Sequence, residues 1–146
     1  MEKHLRDGIQ QFMGEAYEAA CCALCLVDIA CEYTGKEIDV LDALYKACDK
    51  GYIYFNDKNL NDNSNFYVQY PALFLEQMTG KKWEYRHEAA TYKPLKGEYI
   101  MQRYERRKTG YTIGHFQRDG IFEPVRGSLT VQYGNLVSTR VCRCLN

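Results

Sequence analysis

The sequence predicts an α+β fold in which N-terminal helices, one of them central and buried, pack on a C-terminal antiparallel β-sheet. Two observations carry this. Up to about residue 80 the apolar residues recur at helical spacing; from Lys82 onward short aromatic or β-branched runs are divided by glycine-containing turns. Helices first and strands afterwards imply segregated layers rather than a parallel βαβ sheet. With 146 residues the chain has the size of one domain and is read as a single domain over 1–146.

The elements follow in order. Glu15 to Tyr33 reads as the central helix: Ala20, Ala23, Leu24, Val27 and Cys31 recur at helical spacing, and Leu26, Ile29 and Ala30 extend the apolar surface around the axis. Thr34-Gly35 stops it. A second helix fits Asp39 to Lys50, with Asp39 as cap and Leu41, Leu44, Tyr45 and Cys48 on one face. NDKNLNDNSN, residues 56–65, carries five asparagines and no apolar period, and reads as a loop. Pro71 opens a third, short helix that ends near Thr79-Gly80. Strands are expected at Lys82 to Arg86, Glu98 to Glu105, Tyr111 to Gln117, Ile121 to Glu123, Ser128 to Tyr133 and Leu136 to Leu145.

Charge and cysteine usage bound the function. Nineteen basic and nineteen acidic residues cancel, so no global field draws the chain to nucleic acid or to an anionic membrane. RYERRKTG, Arg103 to Gly110, offers four basic residues around a tyrosine, but a solvated turn between strands accounts for it, and nucleic acid is not the expected partner. No apolar run approaches the roughly 20 residues of a membrane span, and MEKHLRDG is too charged for a signal peptide, so a soluble, cytoplasmic protein is expected. Seven cysteines, an odd number, argue against a disulfide scaffold in such a chain. Cys22-x-x-Cys25 with Cys142-x-Cys144 has four thiols to offer zinc. A pair inside an apolar helix is more simply core packing, and neither a metal nor any other cofactor is expected. His4 and His87 have no partner at a recognisable metal spacing.

GHFQRDGIFEP, Gly114 to Pro124, reads as a hairpin. If Arg118-Asp119-Gly120 forms a three-residue loop, Gln117 pairs with Ile121 and His115 falls opposite Glu123, about 5 Å apart at Cβ. If only Asp119-Gly120 turns, Glu123 points to the other face. A cysteine early in a buried helix, a histidine on a later strand and a carboxylate beyond it would together suit nucleophilic acyl chemistry. The thiol must become thiolate, the imidazole must take and return its proton, and the acid must hold the imidazole's tautomer.

CCALCLVDIACEYTGKEI, GEYIMQRYERRKTGYTIGHF and FEPVRGSLTVQYGNLVSTRV together resemble the bacteriocin-leader-processing branch of papain-like cysteine peptidases and related bacterial and phage proteins. The resemblance runs from about Cys21 to Val141. It implies a papain-like domain in which Cys21 matches the nucleophile, His115 the base and Glu123, before Pro124, the orienting acid. Cys22 is the alternative nucleophile if the helix is turned by one residue. Three positions depart from the pattern: Ala20 stands where the family has glycine, Glu15 stands near the oxyanion-stabilising glutamine, with Gln10 and Gln11 nearby, and Glu123 replaces aspartate. Two outcomes are open, a cysteine peptidase-like hydrolase of a peptide or isopeptide bond, or a catalytically inactive interaction module that binds a peptide or protein partner in the same groove.

Overall fold

The computed structural model describes residues 20–125 and 127–146. Three helices come first: α1 (Cys21–Thr34), α2 (Val40–Asp49) and α3 (Pro71–Thr79). Strands β1 (Trp83–Glu88), β2 (Glu98–Lys108) and β3 (Tyr111–Gln117) follow, then a short helix α4 (Leu129–Tyr133) and strand β4 (Asn135–Cys144). The four strands form one antiparallel sheet in the order β1-β4-β2-β3, so the strand latest in sequence lies between two earlier ones. The α+β layering expected from the sequence is present.

Helix α1 is the centre of the core. Ala23, Cys25, Leu26, Ile29 and Ala30 on it are fully buried, against Leu44 and Ala47 of α2, Phe74 and Leu75 of α3, and Trp83, Met101 and Cys142 of the sheet. Leu26 and Ile29 each contribute roughly 1.5–3 kcal/mol by leaving water. The helix ends as its sequence predicts: Gly35 takes a left-handed φ of 68° and donates its N–H to Cys31 O. Its start is different. Ala20 stands outside the helix as its cap, with φ −96° and ψ 30°, so this helix starts at Cys21. Propensity alone favours continuing through EAYEAA, but docking of Cys21 on the sheet edge fixes the first turn instead. The candidate positions Gln10, Gln11 and Glu15 lie outside the described residues.

Helix α2 is capped by Asp39, whose Oδ1 accepts from Asp42 N–H at 3.0 Å. Its buried face is Ala43, Leu44 and Ala47, with Leu41 and Cys48 half-buried at the flanks; Tyr45, expected on that face, points to solvent. Residues 56–65 form the expected loop, closed by side chains acting on backbone: Asn65 Oδ1 accepts from Asn56 N–H, and Asn56, Asn59 and Asp62 each accept from the N–H two residues on.

The sheet departs from expectation in three places. Ser128 to Tyr133 is helical, not extended: Ser128 Oγ accepts from Val131 N–H, and Gly134 closes the helix against Thr130 O. Arg103 to Lys108 continues β2 rather than forming a solvated turn, and only Thr109 and Gly110 turn. Ile121 to Glu123 is no strand. Ile121 N–H and Phe122 N–H both reach Arg118 O, and Gly120 at φ 72° completes a type II turn, giving a single bridge between Arg118 and Phe122. Neither register foreseen for the hairpin forms, and Pro124, which has no N–H, cannot extend a ladder.

Period-two alternation divides the sheet into two faces. Trp83, Tyr85, Tyr99, Met101, Phe116 and Cys142 face α1. Arg103 pairs with Phe116 in register and belongs to the same face, while Tyr104 and His115, also paired, belong to the other. That other face is covered by the segment 89–97, where Ala90 O accepts from Thr139 Oγ1, and by α4 packed on β2 and β3.

Candidate active site

Cys21 is the first residue of α1, and its sulfur meets the sheet at its open edge. Among the described residues β3 pairs only with β2, and alternate N–H groups on its far side face no strand. One of them, Phe116 N–H, donates to Cys21 Sγ at 3.4 Å, joining positions 95 residues apart. The peptide nitrogen that holds the sulfur is the one linking Phe116 to His115, which puts His115 Cα within roughly 6 Å of Sγ by covalent geometry. The candidate nucleophile and the backbone of the candidate base are thus adjacent, while the imidazole itself belongs to the sheet face opposite α1.

They are not joined by a hydrogen bond. His115 is 5% exposed, and its Nε2 is buried without a hydrogen-bond partner among the described residues. Burial lowers the His115 pKa, and the Glu123 carboxylate pulls in the opposite direction. Glu123 is therefore near enough to act on the imidazole, although the register that would place it directly opposite does not form. Burial raises the Cys21 thiol, outweighing the Phe116 N–H and the charge of Arg103, which favour thiolate. Both shifts favour the uncharged pair at rest. Cys22, the alternative nucleophile, is pushed far above the ordinary thiol range by burial, with Cys21 and Cys142 adding to it.

Cys21 and Cys22 open onto a cleft of about 1090 Å³. One wall is the segment from Asn63 to Gln69, and the floor is the α1 side of the sheet: Tyr85, His87, Arg103, Gly114, Phe116 and Arg140. In that wall Phe66 is buried with φ 70°, a conformation unusual for a bulky side chain and of the kind that collects at binding sites. Arg103 and Arg140 both lie over the Phe116 ring, with Cζ 5.2 and 5.5 Å from its centroid. Gly114 makes room for this: a Cβ there would stand 2.6 Å from Arg103 Nη2.

His87 and Arg103, which the sequence reading set aside, and Arg140, which it did not weigh, all line the cleft. His87 is exposed in the cleft, and its pKa is lowered by partial burial and by the charges of Arg140 and Arg103. The signal was the alternation Trp83-x-Tyr85-x-His87, which assigns His87 to the apolar face of β1. The cysteines weighed for zinc are dispersed through the core: Cys25 and Cys142 are fully buried, and Cys144 Sγ donates to Tyr33 Oη at 3.3 Å. Among the described residues no group of three or more His, Cys, Asp or Glu could hold a metal ion, and no helix is long and apolar enough to cross a membrane. No protein-family model, curated protein or solved structure matches the chain.

Proposed function

We propose that this protein is a cysteine peptidase-like hydrolase of papain-like design that cleaves a peptide or isopeptide bond at Cys21. The observation that carries the reading is the docking of Cys21 Sγ, at the first position of a buried helix, on the peptide bond between His115 and Phe116. A helix start is where a developing thiolate gains from unpaired N–H groups and from the macrodipole.

In the proposed reaction the thiol proton passes to His115 as sulfur adds to the substrate carbonyl. The C–N bond then breaks, His115 returns the proton to the leaving amine, and a thioester to Cys21 remains. Water hydrolyses the thioester and its proton restores the thiol. Glu123 stabilises the imidazolium that forms in between. The reaction requires the imidazole, which belongs to the sheet face opposite the cleft, to reach the sulfur around the β3 edge.

A peptide vinyl sulfone tests this. The expected adduct is confined to Cys21, and His115→Ala slows its formation by about 100-fold or more, the range for loss of a general base. Equal labelling of the wild type and His115→Ala overturns the reading. A second reading is favoured by the missing hydrogen bond between Cys21 and His115: a catalytically inactive module that holds a peptide or protein in the same cleft. It expects binding of the unreactive parent peptide and no adduct from the vinyl sulfone.

A further inference from the structure

We infer that Arg103 and Arg140 form a subsite for a carboxylate, so that the cleft selects peptides carrying an Asp or Glu beside the bond presented to Cys21. This names the substrate class of the site proposed above, and the placement next to a scissile bond rests on that reading.

The floor of the cleft is cationic without compensation inside it. None of its described lining residues is Asp or Glu, whereas two arginines and His87 lie in it. Arg140 has no carboxylate within ion-pair range among the described residues, and its polar neighbours are hydroxyls, Ser138 Oγ at 2.5 Å and Tyr85. Arg103 has one carboxylate, Glu105 at 3.2 Å, half-exposed on the next inward-facing position of the same strand. Both guanidinium groups are half-buried, and the Phe116 ring beneath them limits their freedom. Arg103 directs Nε and Nη2 to Glu105 and Arg140 directs Nη1 to Ser138, and the remaining donors of these two planar forks, held over one ring, match the two oxygens of a carboxylate.

The subsite is close to the chemistry. Gly114 and Phe116, which shape it, flank His115, and Arg103 is near enough to act electrostatically on Cys21. Across the cleft stand Asn63, Ser64 and Gln69, uncharged polar groups suited to an extended peptide backbone. Two arginines in a chain of zero net charge are too few for the row of phosphate contacts that nucleic-acid binding requires.

The test is titration of the full ¹⁵N-labelled chain with acetyl-Ala-Ala-Asp-Ala-amide and with its Asn counterpart, read at the Gly114 and Phe116 amides. It is performed on Cys21→Ala, so that its outcome does not depend on whether Cys21 is a nucleophile. The Asp peptide is expected to bind about tenfold more tightly, and Arg140→Gln and Arg103→Gln are each expected to erase most of that preference. Raising the salt concentration on the unaltered arginine pair reduces the preference in the same direction, independently of how the variants fold. Equal affinities, no binding of either peptide at millimolar concentration, a preference that survives Arg140→Gln, or saturation by single-stranded oligothymidine instead would each overturn the inference. Retention of the Asp preference in a protein that fails the vinyl sulfone test would leave the subsite standing and remove only the hydrolase.

Discussion

Gly114 shows how one missing methyl shapes the site. Its backbone is not in the left-handed region, so alanine is conformationally acceptable there, but the new Cβ would collide with the end of the Arg103 side chain. Arg103 can swing aside. Gly114→Ala is therefore expected to change stability by less than about 1 kcal/mol while displacing the guanidinium from Phe116. Chemical denaturation and acidic-peptide titration of the same variant separate the two effects. Cys21 gives a second prediction at this scale. Burial raises its pKa, so below the ordinary thiol value of 9.0 it is less ionised than a free cysteine. Its reaction with iodoacetamide in the substrate-free protein should be slower than that of a model thiol at pH 7 and should still be rising at pH 9. A plateau below pH 8 would show an ionised resting thiol. From sequence, Cys21, His115 and Glu123 could be nominated by residue type and chain order. The Phe116 N–H that holds the sulfur could not, because a backbone donor at a sheet edge leaves no mark on residue identity.

Among the elements, the join between α1 and the β3 turn matters most for the site. Arg118 is 3% exposed; its Nη1 bonds Asp28 at 2.9 Å and Glu32 at 2.6 Å, one helical turn apart on α1, and its Nε bonds Ile100 O. It fastens the helix to the sheet beyond the strand that carries His115. Arg118→Met should cost about 3 kcal/mol, the low end for breaking a buried pair, because Asp28 and Glu32 still reach water. The same variant should lose reaction of Cys21 with the vinyl sulfone. Asp39→Ala serves as the contrast: losing the α2 cap should cost about 1 kcal/mol in denaturation and leave that reaction unchanged. Helix ends were legible where a residue caps them, as at Asp39, Gly35 and Gly80. The start of α1 was not, since Ala20 carries no capping side chain and the turn is set by a contact far away in sequence. Ser128 to Tyr133 was misread for a related reason. Val131 and Tyr133 favour strands, and a single serine cap with flanking glycines outweighs them in so short a segment.

At the scale of the whole molecule, part of the acid stability is tied to Glu98. Glu98 accepts from Tyr92 Oη, Leu95 N–H and Arg86 Nη2, binding the segment 89–97 to β1 and β2; these bonds push its pKa down from 4.5 to about 2. A depressed carboxylate stabilises the fold fully above its ordinary pKa, and that contribution is lost as pH falls through the folded value. Stability measured by urea unfolding should therefore decline between about pH 4.5 and pH 2. In Glu98→Gln that part of the decline should vanish. The layer order of the fold, helices and then sheet, was readable because hydrophobic period reports which elements exist. Strand adjacency was not, since alternation along β4 says nothing about which neighbours it has.

That adjacency also fixes when the site can come into being. β4 supplies Arg140 and, among the described residues, is the only strand paired with β1, so the cleft floor is unfinished until this strand inserts between two that precede it in the sequence. A growing chain has its cysteines long before it has the floor, and pairings this distant in sequence form slowly. The order of synthesis thus acts as a delay: a chain that has not yet reached β4 lacks both Arg140 and the strand that holds β1 in the cleft floor.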